Sequence, residues 1–156
     1  MSIEAFEAQL GEDMKDAMRA KDQVRLEAVR SIRAALTTEK TSAANQGTLN
    51  DAQVLAVLQR LKKQRIEAAE IFNAQNRADL AQVEEAQLAV IQTYLPEALE
   101  GEALHNAVKE LLDANGITQA GQFGQAMGIA SKALAGRADG KAISAAVKAL
   151  LQGQGA

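Results

Sequence analysis

The sequence predicts an all-α fold, with a four-helix N-terminal domain over residues 1–95 and a small three-helix domain over 96–156. Three observations predict it. Apolar residues recur at three- and four-residue spacing along most of the chain. No segment alternates apolar and polar residues as a half-buried strand does. A single proline in 156 residues leaves long stretches free to run as helix. Hydrophobic residues make up 47% of the chain and aromatics only 3%, so the core has to be aliphatic.

The first helix is announced by Ser2 and carries the stripe Ile3, Phe6, Leu10, Met14 and Met18. Asp22 can cap a second helix, in which Val29, Ile32 and Leu36 share a face. The polar residues 41–47 read as a loop. The clearest start signal follows. Asn50 and Gln53 form a capping box, and Leu49 is placed to staple onto Val54. That third helix carries Val54, Leu58, Leu61 and Phe72 over about 25 residues, and Asn76, which tolerates left-handed geometry, ends it. Leu80, Val83, Leu88, Ile91 and Leu95 give the stripe of a fourth.

Glycine usage then changes. Gly11 and Gly47 alone precede Pro96, and the other nine glycines follow it. Pro96 stops the fourth helix, so the domain boundary is placed there, with residues 96–101 as connector. Three shorter stripes follow: Leu104, Val108, Leu111 and Leu112 before Gly116; Phe123, Met127, Ala130 and Leu134 before Gly136; Ile143, Val147, Leu150 and Leu151 after an Asp139 cap.

Cysteine is absent, which excludes disulfides, thiolate metal sites and cysteine nucleophiles. His105 is the single histidine and reads as a surface or interfacial residue, so neither a metal nor a cofactor is expected. With no N-terminal signal pattern and no apolar run near ~20 residues, no membrane contact is expected and the protein is read as cytoplasmic. The formal charge of −3 argues against indiscriminate polyanion binding. Across residues 114–156, however, Lys132, Arg137, Lys141 and Lys148 stand against Asp139 alone, a local charge of +3. They flank the Gly136, Asp139 and Gly140 corner, where a helix start favours an anion. Arg137 ranks first there because its planar fork can hold a phosphate with two hydrogen bonds.

Arg60, Lys63 and Arg65 form a second basic cluster, which reads as a solvated helix face with Lys63 facing Glu67. Glu84 and Glu85 point about 100° apart and are assigned to solvent. Gly121, Gly124 and Gly128 lack the strand and the Lys-Ser/Thr ending of a phosphate loop and are read as helix-packing positions.

The ordered set Asp13-Met14-Lys15, Ala17-Met18, Arg25-Leu26, Arg30, Val54-Leu55, Lys63-Gln64-Arg65, Phe72, Arg77-Ala78-Asp79-Leu80 and Tyr94-Leu95-Pro96 continues into Met127-Gly128, Lys132, Gly136 to Gly140 and Val147-Lys148. With these residues the chain resembles the GatB/YqeY family over nearly its whole length, in the layout of a stand-alone YqeY-type protein. Asn76 stands where that family usually has glycine, and Ala69 where it has serine. The resemblance implies a C-terminal domain similar to the tail of the B subunit of the aminoacyl-tRNA amidotransferase, which helps to hold tRNA. It also implies a link to carbon–nitrogen ligase activity with glutamine as amido donor. The chain offers no amidase nucleophile, nucleotide loop or metal cluster for that reaction. The expected role is therefore a non-catalytic tRNA-associated module, partnered by tRNA, an amidotransferase or other translation components. A component of glutamine-dependent amidation and a protein–protein adaptor are the alternatives.

Overall fold

A computed structural model describes residues 2–153. Among them it has no strand. The elements are α1 (Ile3–Arg19), α2 (Gln23–Lys40), α3 (Asp51–Ala74), α4 (Ala78–Gln92), α5 (Gly101–Ala114), a 3₁₀ turn (Ala120–Gln122), α6 (Phe123–Ala133) and α7 (Gly140–Gln152). The fold is all-α. Contacts divide the chain into two compact units, Met1–Leu95 and Pro96–Ala156.

In the first unit each predicted cap is made by its own side chain. Ser2 Oγ accepts from the Ala5 N–H at 3.2 Å, and Asp22 Oδ1 from the Arg25 N–H at 3.0 Å. Asn50 and Gln53 exchange two reciprocal bonds of 2.9 Å, so α3 begins with two otherwise orphaned N–H groups satisfied. Helix ends are equally local. Asn76 takes φ 59°, and the Arg77 N–H reaches back to the Phe72 carbonyl at 2.8 Å. Lys21, with φ 55°, closes α1 in the same way through the Asp22 N–H and the Ala17 carbonyl. The result is two helical hairpins, α1–α2 and α3–α4. Helix α2 packs on all three of the others, which is why it contributes five buried residues: Leu26, Ala28, Val29, Ile32 and Leu36.

Two positions depart from the expected stripes. Met18 is 46% exposed and Ala17 takes the inward place; Val83 is 45% exposed, and α4 turns Ala81, Gln87 and Ile91 inward. In both helices a small residue sits at the close contact, and the larger apolar residue nearby is rotated toward solvent. Because Gln87 lies on that inward face, a polar seam runs between the helices. Its Nε2 donates to Glu27 Oε2 at 3.1 Å. One turn earlier, Glu84 is not a solvent carboxylate. It accepts from Arg65 Nη1 at 3.0 Å, while Arg65 Nη2 lies 3.3 Å from Ser31 Oγ.

The second unit folds α5, α6 and α7 around Leu104, Val108, Leu112, Ile117, Ala126, Ala130, Ile143 and Val147. Helix α7 packs on both α5 and α6. Gly116, at φ 67°, allows the Ile117 N–H to close α5 on the Leu112 carbonyl at 2.9 Å. Helix α6 stops at Ala133, earlier than the glycine stop implied, and Gly136 (φ 77°) shapes the turn that follows. The packing role expected of Gly121, Gly124 and Gly128 is not found. A Cβ on any of them would meet nothing within 4 Å.

Candidate nucleic-acid interface

Residues 134–141 form the corner between α6 and α7. Asp139 caps α7, its Oδ1 accepting from the Lys141 N–H at 2.7 Å. The helix start is therefore already occupied by a carboxylate, and at that N–H it offers no free donor to a phosphate. The Leu99 N–H donates to the Arg137 carbonyl at 2.7 Å, tying the corner to the strap before α5.

Arg137 itself turns inward. Its side chain is half-buried, and Nη2 lies 3.5 Å from the Glu97 carbonyl, at the outer limit of hydrogen bonding. Its Nε is buried without a partner among the described residues. The expected exposed fork is not what the backbone presents, because the strap at 97–99 lies where the guanidinium would otherwise meet solvent. What the corner does present is lysine. Lys132 on α6 and Lys141 and Lys148 on α7 are all exposed, and none forms an ion pair among the described residues. Lys141 and Lys148 are seven residues apart and so share one face of α7, separated by about 10 Å. Lys148 Nζ sits 5.9 Å from the centroid of the Phe123 ring.

The second basic cluster is neutralised in place. Arg60 lies 3.6 Å from Glu39, Lys63 lies 3.8 Å from Glu67 as its spacing implied, and Arg65 is committed to Glu84. Arg65 is thus part of the polar seam and not of a solvated face. His105 is half-buried on α5. No group of three or more metal-ligating side chains occurs among the described residues, and no helix is long and apolar enough to cross a membrane.

One polar cluster was not legible in the sequence as a unit. The Tyr94 hydroxyl donates to Asp13 Oδ2, Arg25 Nη2 lies 3.5 Å from Asp13 Oδ1, and the Tyr94 ring meets Phe6 edge-on with centroids 6.0 Å apart. Burial, then the hydrogen bond to the Asp13 carboxylate and its charge, push the phenol above its ordinary range. The folded state therefore holds this proton more tightly than the unfolded chain does. The stability it contributes is complete below about pH 10 and is lost as pH rises toward the folded value. The urea midpoint should gain no pH dependence from Tyr94 between about pH 8 and 10 and should fall above about pH 10, and Tyr94→Phe should flatten the fall. Equal slopes for the two proteins would contradict the assignment.

The family described as Yqey-like protein matches residues 7–151. The chain belongs to that family. The Yqey-like match spans both units and includes Lys132, Lys141 and Lys148. Among curated proteins, the chain is similar to altered inheritance of mitochondria protein 41, mitochondrial, of Meyerozyma guilliermondii, with 34% identity over 98 residues covering 61% of this chain and 50% of that protein. It is also similar to the protein of the same name in Lachancea thermotolerans, 31% identical over 114 residues, covering 69% of this chain and 60% of the relative. The chain spans about half the length of the curated relatives it matches.

Proposed function

We propose that the protein is a non-catalytic binding module that holds tRNA through its second unit, with Lys132, Lys141 and Lys148 as phosphate contacts. The observation that carries the reading is the placement of these three cations: all are exposed and none is paired with a carboxylate among the described residues. The Arg60, Lys63 and Arg65 cluster is by contrast tied to Glu39, Glu67 and Glu84. Unpaired lysines release counterions from a polyanion at no cost in broken ion pairs. The resemblance of the C-terminal half to the amidotransferase B-subunit tail supports tRNA as the polyanion. As an accessory of glutamine-dependent amidation, the module would supply grip on the tRNA and leave the chemistry to its partner. On this reading the protein works in the cytoplasm beside translation components.

The test is the triple replacement of Lys132, Lys141 and Lys148 by alanine. Stability should change by no more than about 0.5 kcal/mol per site, since the three side chains are exposed. Affinity for tRNA should fall, and the slope of log K against log salt should shrink by roughly 0.7–0.9 for each phosphate the protein no longer engages. Arg137→Ala should do the reverse, lowering stability with little change in that slope, because its guanidinium is turned toward Glu97. A triple variant that keeps both tRNA affinity and slope sinks the proposal.

A further inference from the structure

Phe123 is the one Phe, Tyr or Trp in 96–156, and it is not enclosed in the core of the second unit. It opens α6 at the rim, half-buried against the apolar cluster, with Lys148 above the ring. We propose that Phe123 and Lys148 form a ledge on which an unpaired nucleotide of the bound RNA stacks, the base on the ring and the neighbouring phosphate on the lysine. This rests on the RNA reading above and names the part of the RNA that the site takes.

The geometry supports it in three ways. The lysine lies 5.9 Å from the ring centroid, at the far limit of a cation–π contact. An exposed contact of that kind is weaker than base–aromatic stacking, so a base displaces it, and the freed ammonium stays within reach of the nucleotide's phosphate. The approach is open. Phe123 is only half-buried, and Gly121 and Gly124, close to it in the chain and both exposed, carry no side chain that could cover it. Exposed glycines weaken a helix end relative to alanine, and here they contribute no packing in return. The charge is continuous as well. Lys148 extends the line begun by Lys141 along one face of α7, and Asp139, the one carboxylate side chain in 114–156, is engaged in capping. Paired RNA keeps its base faces stacked within the helix, so only a looped-out or terminal nucleotide can use the ring. Every base has a π-face, so the ledge tolerates any sequence.

The chain contains no tryptophan, which makes Phe123→Trp a clean reporter. The Phe123→Trp chain, both units included, is titrated with unfractionated tRNA, with an oligoriboadenylate of about ten nucleotides, which is long enough to cover one such site, and with a blunt RNA duplex. Saturable quenching of the introduced indole by tRNA and by the single strand, but not by the duplex, is the expected result. In the native background, Phe123→Leu should weaken single-strand binding about tenfold, and Phe123→Tyr should retain it. Circular dichroism of each variant confirms that it is folded. Binding of tRNA without quenching, together with unchanged affinity in Phe123→Leu, overturns the ledge and leaves the lysine interface standing. If the native chain binds none of the three RNAs, the ledge and the function proposed above fall together.

Discussion

Replacing Ile32 by alanine should destabilise the first unit by roughly 2–5 kcal/mol, near the top of that range. Ile32 is 0% exposed and lies on α2, the helix that packs against α1, α3 and α4. A cavity at that point lies in a core that residues of the other three helices also line. Set against a total of about 5–15 kcal/mol for a typical domain, this is a large fraction. Ile32→Val, which removes one methylene, should cost only about 0.5–1.5 kcal/mol. The readout is already in the sequence. Tyr94 is the single tyrosine and there is no tryptophan, so tyrosine emission reports the unit in which Tyr94 packs on Phe6. A loss under about 1 kcal/mol in Ile32→Ala, at constant dependence on urea, would show that α2 is not the hub of the bundle.

The second large effect is expected at the polar seam. Arg65 and Glu84 are 23% and 18% exposed, close enough to burial that neither is fully hydrated when its partner is removed. Arg65→Met leaves the Glu84 carboxylate and Ser31 Oγ without their shared donor. The cost should be about 2 kcal/mol, between the value for an exposed pair and that for a fully buried one. The double variant Arg65→Met with Glu84→Leu should recover most of it, because two apolar groups of similar volume carry no desolvation penalty. Lysine at position 65 should rescue poorly, since a single ammonium cannot reach both Glu84 and Ser31 with the guanidinium's geometry. A full cycle of single and double variants measures the coupling. If the two single changes simply add, the seam is two solvent-screened charges and not a joined pair.

The parts of this fold that were legible in the sequence are those that act over three to six residues. Ser2, Asp22 and the Asn50–Gln53 box each satisfy an N–H within their own first turn, and Asn76 closes α3 on a carbonyl of its own last turn. Such signals need no knowledge of the tertiary structure. The rotation of each helix was harder to read because alanine is ambiguous. Ala17, Ala81, Ala126 and Ala130 are all 0–1% exposed, yet their hydropathy does not separate them from alanines on the surface. The long-range polar contacts were out of reach because their partners are distant in the chain: Gln87 and Glu27 of the seam are 60 positions apart, and Tyr94 and Asp13 of the separate cluster are 81 apart. The candidate interface divides along the same line. The exposure of Lys132, Lys141 and Lys148 follows from helix periodicity. The inward turn of Arg137 depends on the Glu97 carbonyl, 40 residues away, and no local pattern carries it.

The two tight turns in the first unit have a consequence for how the chain reaches this structure. Helices α1 and α2 are joined across residues 20–22, and α3 and α4, the most extensive helix pairing in the molecule, across residues 75–77. Closing loops this short fixes little chain that the helices have not already fixed, so each hairpin can form as a nearly local event. The entropy of bringing distant segments together is then concentrated in one step, the docking of α2 against the α3–α4 pair. That step is bridged by residues 41–50, and the Asn50–Gln53 box fixes the far end of the bridge through bonds local to the start of α3. The Gln87–Glu27 and Arg65–Ser31 contacts of the seam cross to α2 and can form only in this docking step, whereas Arg65–Glu84 lies within the α3–α4 hairpin and needs no such closure.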